Sequence, residues 1–418
     1  MLVSTLVDFH AGKKMTQAAD KNYLRKLWLV ASILTNLSLL GFFKYYDFIA
    51  GNLNAVTQLF LDHGSGPFPL YNIILPVGIS FYTFQSMSYT IDLYRRKTRP
   101  VENLLTFACY VSMFPQLVAG PIVRFVEIEE QLRNLKSRID FDYIRLGIFF
   151  FVCGLVKKLI FADMIAARID PLFIQYENLQ FFGSWIAVLG YTLQIYFDFS
   201  GYSDMAVGLG YMLGFKLPIN FNSPYKAANI SDFWDRWHIT LSHWLRDYLY
   251  FGMGGSRRGR LITLRNLVIT MFLGGLWHGA SWTFVFWGLY HGILLVVYHT
   301  MRERGWVSNS YPLNRTVTFL AVIAGWVFFR SDTFGMAWHL LGSMTGLHGL
   351  ESLVIIRYQI GLRLTGMIVF LLFWVWYMRN TWEIQFKENR ALAWAFSILF
   401  IACILGLDKE SPFLYFQF

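Results

Sequence analysis

The sequence predicts an all-α polytopic membrane protein, and three observations carry that fold class. The 418 residues are 56% hydrophobic and 19% aromatic but only 15% charged, against about 25% charged in an average soluble chain. Such a chain lacks the polar material to cover a globule of its size, and its mean hydropathy is +0.42. The apolar residues also fall into long blocks, and a hydrocarbon core about 30 Å thick needs roughly 20 of them per helix. Finally, no stretch alternates apolar and polar residues as the strands of a membrane barrel do.

Taken in order, residues 1–26 form a polar opening segment carrying Lys13, Lys14, Lys21, Arg25 and Lys26. That charge pattern is not one of a secretory signal peptide. Candidate spans follow near 27–50, 69–91, 104–123, 142–166, 183–200, 202–217, 264–279, 281–301, 315–330, 361–378 and 391–407, ten or eleven in all. No linker or repeat interrupts them, so one membrane domain is expected over 1–418. The net charge of +10 is carried by connections, with Arg95, Arg96, Lys97 and Arg99 in one loop and Arg257, Arg258 and Arg260 in another. Lys and Arg mark cytoplasmic loops, so this charge reads as topology and lipid contact rather than as a nucleic-acid surface. Cys109, Cys153 and Cys403 stand singly in apolar segments, which indicates neither disulfides nor a thiolate metal site.

Several spans contain breakers: Pro76 with Gly78, Pro115, Gly120 with Pro121, and Gly201 within FDFSGYSDMAVGLG, 197–210. Broken helices at membrane depth occur where protein or a water-filled cavity surrounds them. Asp198, Ser200, Ser203 and Asp204 cluster there, and intramembrane carboxylates are costly and tend to be functional. Residues 197–204 therefore read either as a cavity lining, with Asp198 at a substrate, or as kinked packing.

The segment ISDFWDRWHITLSHWLRDYLYF, 230–251, reads as an interfacial amphipathic helix with Ser231 at its N-cap and Asp232 in its first turn. At about 100° per residue, Trp234, Trp237, His238, Leu241, Trp244, Leu245 and Tyr248 fall in one stripe roughly 120° wide. Asp235, Arg236, Ser242, His243, Arg246 and Asp247 lie outside it. His243 is thus expected to be solvated or salt-bridged. His238 must face packed protein or a cavity, as a structural residue or a working one.

Common catalytic signatures are missing: no G-x-S-x-G elbow, no H-E-x-x-H and no P-loop occurs. His238 and His243 point to different sides of a helix, which disfavours a metal site. His278 remains, within FLGGLWHGASWTFVFWGLYHG, 272–292. Gly274, Gly275 and Gly279 permit close backbone approach, Trp277 and Trp282 supply rigid walls, and a neutral imidazole in a membrane cavity is able to take a proton as a general base. His291, thirteen residues on, is assigned to packing or to a supporting hydrogen bond.

The stretches 196–225, 232–259 and 265–292, with KYYDFIAG (44–51), LPVGISFYTFQSMSYTIDLYR (75–95), FPQLVAGPIVRF (114–125) and SPFLYFQF (411–418), resemble the membrane-bound O-acyltransferase family. The fit is best to the branch that acetylates bacterial exopolysaccharides and peptidoglycan. Members of that branch usually carry further apolar spans ahead of the KYYDF-like stretch, where this chain is polar. The resemblance implies a ring of tilted helices around a central tunnel, in the bacterial inner membrane. It implies acyl transfer, most simply of acetyl, from a thioester such as acetyl-CoA, with no resident cofactor or metal. His278 in LWHGASW matches the family's signature histidine, and His238 in RWHITLSHW its second polar residue. Trp237, Arg246, Trp277, Trp282 and Asp198 are then expected near the substrates. Arg246 and the 257–260 turn would attract an anionic donor or serve topology alone. The acceptor would be a polysaccharide hydroxyl or a serine of a periplasmic esterase-like partner. A secondary transporter and an inactive envelope scaffold are the rival classes; the first often shows two related halves, which this chain lacks.

Overall fold

The computed structural model describes the chain except residues 61–65, 119, 135–139, 352–360, 385–388, 408–413 and 415–418. Among the described residues every regular element is helical. The contacts divide the chain into two compact units: residues 1–138 with 279–281, and residues 139–278 with 282–418.

In the first unit, the polar opening segment is structured. It folds into α1 (Leu2–Gln17) and leads into α2 (Asn22–Gln58), which winds through a π-turn at Gly41–Tyr45. Ser4, Asp8, Ala11 and Met15 recur every three to four residues and form the buried face of α1. The Asp8 carboxylate accepts from Ser32 Oγ (2.6 Å), Asn36 Nδ2 (2.8 Å) and Ser86 Oγ, which satisfies a buried charge with local donors. The third helix, α3, covers Ile79–Tyr94, and its last carbonyls, Leu93 O and Tyr94 O, are capped by the Arg25 guanidinium. The candidate span 69–91 starts only at Ile79 because Pro76 and the left-handed Gly78 (φ +73°) turn the chain there. The span 104–123 is not a single helix either. It gives α4 (Leu104–Val111) and a four-residue turn at Phe114–Leu117, with Met113 outside the helical region (φ −59°, ψ +106°) and Pro115 in the first turn, where a missing N–H is tolerated. An amphipathic helix, α5 (Phe125–Arg133), follows.

The second unit is built on two long helices. The first runs as α6 (Phe141–Leu155), a π-turn (Val156–Ala162) and α7 (Asp163–Ile174). The second, α8, is unbroken from Phe181 to Met212. The expected break at Gly201 is therefore absent, and the two candidate spans on either side of it are one helix. Gly201 is a contact instead. A Cβ on it would sit 2.8 Å from Gly154 O, and one on Gly208 would sit 2.6 Å from Gly147 O. Both pairs are seven residues apart on their helices and match in antiparallel order, so the backbones touch at two levels, as small residues allow between membrane helices.

Beside these crossings Lys157 Nζ pairs with Asp204 Oδ2 at 2.6 Å and Lys158 Nζ with Asp198 Oδ1 at 2.6 Å. Thr381 Oγ1 donates to Asp204 and the Leu414 N–H to Asp198. The carboxylates of 197–204 thus tie α8 to the π-turn between α6 and α7, and Asp198 is engaged in an ion pair there. Asp204→Ala should cost about 3–5 kcal/mol by leaving a buried cation unpaired. Asp204→Leu combined with Lys157→Met should cost much less; thermal unfolding in detergent measures both.

The remaining elements are α9 (Ile230–Trp234), α10 (Ile239–Trp244), α11 (Arg260–His278), α12 (Trp282–Glu303), α13 (Tyr311–Arg330), α14 (Phe334–Met344), α15 (Leu362–Tyr377) and α16 (Arg390–Leu405). Among the described residues four helices, α2, α11, α12 and α13, are long and apolar enough to cross a membrane, and α15 and α16 are shorter apolar helices.

Candidate active site

The segment 230–251 is broken where one interfacial helix was expected. Asn229, not Ser231, caps α9 by accepting from the Asp232 N–H at 2.9 Å. The helix stops at Trp234 because the strip 220–222 pairs with the chain beyond it. The Asn222 N–H donates to Arg236 O and the Ile239 N–H to Asn220 O, both at 2.9 Å. Between these bonds His238 adopts φ +44° and ψ +54°, a left-handed conformation that is uncommon for a side chain of this kind. From there α10 starts and runs into a π-turn at Leu245–Tyr250. The stripe nevertheless holds: all seven of its residues are buried, and none of the six outside it is.

His238 is 0% exposed. Its Nδ1 lies 3.2 Å from Asn220 Oδ1, which also accepts from the Thr240 N–H (3.2 Å) and Thr240 Oγ1 (2.9 Å). Phe199 (ring centroids 4.7 Å apart) and Trp277 (5.9 Å) stand edge-on to its ring. Asn220 was not singled out as a site residue, since within the family-like stretch 196–225 it lies in an irregular strip where no spacing distinguishes it.

His278 is the last residue of α11 and 3% exposed. Glycines place it as the spacing suggested. A Cβ on Gly275 would meet Phe284 O at 2.4 Å and one on Gly288 would meet Met271 O at 2.4 Å, so α11 and α12 touch backbone to backbone three residues before the histidine. The His278 ring lies 5.0 Å from Trp277, 5.0 Å from Trp287 and 5.2 Å from Phe329, edge-on to each. Trp277 therefore carries both His278 and His238. Trp287, 4.8 Å from His291, stands against both His278 and His291. His291 is fully buried against Trp234, Trp287 and Tyr290, and among the described residues neither of its ring nitrogens hydrogen-bonds.

This histidine geometry lies within a segment, residues 95–329, that matches the model of the membrane-bound O-acyltransferase family. The chain is 38% identical to a "probable alginate O-acetylase" of Pseudomonas putida, over 99% of this chain and 89% of that protein. It is 43% identical to the protein of the same name from Pseudomonas aeruginosa, covering 81% of this chain and 64% of the relative. It is 40% identical to the peptidoglycan O-acetyltransferase of Helicobacter pylori, covering 84% and 71%. The chain belongs to the membrane-bound O-acyltransferase family. It is an O-acyltransferase and, with its apolar helices, a multi-pass membrane protein.

The O-acyltransferase's other expected site residues separate into walls and packing. Trp277 is a wall of the histidine pair. Trp282 is 54% exposed, at the start of α12, and Trp287 and Phe329, which no motif singled out, enclose His278. Trp237 is 1% exposed and packed on Phe233, Trp326 and Phe221, within the core. Arg246 is exposed, bonded to Asp247 Oδ1 at 2.9 Å, and with Asp235, His243 and His299 it lines a cavity of about 260 Å³. Trp234 forms a wall of that cavity and stands 5.7 Å from Trp287, one ring away from His278. Two further cavities, of about 890 and 330 Å³, lie along α6, with α16 and with α15. None of the three is lined by His278.

Proposed function

We propose that this O-acyltransferase moves an acetyl group from a thioester donor, acetyl-CoA or a similar acyl thioester, towards hydroxyls of an envelope or secreted polysaccharide in the bacterial inner membrane. The observation that carries this reading is the placement of the two family-matching histidines on one tryptophan, Trp277. The relatives' names, O-acetylase and O-acetyltransferase, support acetyl as the group moved and alginate or peptidoglycan as the acceptor class.

His278 takes the proton of the attacking hydroxyl, and the freed oxygen attacks the thioester carbonyl. The tetrahedral intermediate expels the thiolate, which recovers the proton from the imidazolium. A positioned base contributes about 10²–10⁴-fold. The aromatic walls keep bulk water off the ring, which favours transfer to the hydroxyl over hydrolysis. Donor entry through a tunnel is part of the proposal. The cavity lined by Arg246 and His243 supports it, because Arg246 offers a cation to an anionic donor and Trp234, also in the lining, adjoins Trp287 beside His278. The acceptor is either the sugar itself or a serine of a periplasmic esterase-like partner. Transporter chemistry is less well supported, since Asp198 and Asp204 are both engaged by lysines.

His238→Ala is expected to lower transfer by about 10²-fold, as lost positioning does, without abolishing it, and an unchanged rate would return this residue to packing. The proposal itself is tested in vesicles containing the purified protein, with labelled acetyl-CoA on one side and alginate or peptidoglycan fragments on the other. Label should reach the polymer, with or without an added esterase-like partner. Absence of label on every acceptor, with the protein folded, would overturn it.

A further inference from the structure

Three contacts converge on Asn220 Oδ1: the Thr240 N–H at 3.2 Å, Thr240 Oγ1 at 2.9 Å and His238 Nδ1 at 3.2 Å. A backbone N–H is only ever a donor, so the atom it reaches is the amide oxygen and not the amide nitrogen. The other end agrees, since Asn220 Nδ2 faces Ser203 Oγ at 3.3 Å. An amide oxygen has no hydrogen to give, so the contact to His238 is a hydrogen bond only when Nδ1 bears the hydrogen. A neutral imidazole protonated at Nδ1 carries its lone pair on Nε2.

We infer that Asn220 is a positioning residue that holds His238 as the Nδ1–H tautomer, so that Nε2 accepts a hydrogen bond from a hydroxyl of the acceptor substrate and does not donate one to the oxyanion. The same asparagine also fixes the backbone. Its carbonyl receives the Ile239 N–H at 2.9 Å, next to the left-handed turn at His238. A non-glycine residue in that region costs of order 1–3 kcal/mol and persists only where its surroundings impose it. Main chain and side chain of one residue thus set both the turn and the tautomer, while Phe199 and Trp277 hold the ring plane. A sugar acceptor offers several hydroxyls. His278 deprotonates the one that attacks, and His238 orients the acceptor through another. Oxyanion stabilisation then falls to other donors.

This inference rests on the acyltransfer reading for its substrate but not for its tautomer. The full chain in detergent, labelled with ¹⁵N at histidine, gives the tautomer directly once the His238 signals are assigned by their loss in His238→Gln. A protonated Nδ1 with an unprotonated Nε2 is expected; a protonated Nε2 would overturn the inference. Asn220→Leu should mix the tautomers and lower transfer about 10²-fold, chiefly through a raised KM for the acceptor with the donor KM unchanged. Asn220→Asp keeps an accepting oxygen and should restore both the tautomer and most of the rate. A folded Asn220→Leu protein with the wild-type spectrum and rate would refute the assignment. If Asn220→Leu fails to fold, the wild-type and Asn220→Asp spectra decide. A wild-type protein that shows the expected tautomer but transfers no acetyl would sink the functional reading alone.

Discussion

His278→Gln should abolish acyl transfer, to below about a hundredth of the wild-type rate, while the protein still inserts and unfolds at nearly the same temperature. Glutamine matches part of the imidazole's shape and polarity, so the aromatic enclosure of Trp277, Trp287 and Phe329 stays filled. What is lost is the basic ring nitrogen that takes the hydroxyl's proton. His278→Ala should be as inactive but less stable, because it leaves a void among three rings. Comparing the two by turnover and thermal unfolding separates chemistry from packing. Retention of more than about a tenth of the rate in folded His278→Gln would remove the base assignment.

Gly275→Val should lose both stability and activity. Its Cβ would lie 2.4 Å from Phe284 O and 2.9 Å from Gly288 Cα, and neither backbone atom is able to yield. The helices α11 and α12 must separate, which costs about 1–3 kcal/mol as overpacking does. The larger effect is positional. His278 sits three residues beyond Gly275, and a displacement near 1 Å is enough to cost about 10²-fold in a positioned reaction. Gly366→Ala, in α15 with nothing within 4 Å of its new methyl, is the control and should be neutral in both assays. Wild-type activity in Gly275→Val would show that the close crossing does not place the histidine.

The features legible in the sequence were those with local causes. Hydrophobic blocks gave the helical membrane class, the glycines beside His278 gave the close crossing, and the 3.6-residue stripe sorted buried from exposed residues in 230–251. That stripe held although the helix did not, because each short piece presents the same side to the core. The misreadings came from partners far along the chain. Gly201 reads as a break only until Gly154 is set opposite it. Asp198 and Asp204 stand in the sequence as a cavity lining or as packing, and only the fold brings Lys157 and Lys158 to them. The break at His238 is imposed by residues 220–222, which nothing within 230–251 announces. Trp287 was harder to single out than Trp282 because nearness to His278 in sequence favours the latter, whereas the turn at 279–281 brings the former back against the ring.

The most direct measurement is release of labelled acetate from acetyl-CoA, or from a small acetyl thioester, by the purified protein in detergent without acceptor. Water then replaces the hydroxyl, so slow release is expected from the wild-type protein and none above background from His278→Gln. Equal release above background by both proteins would contradict a base at position 278 with access to an activated acyl group.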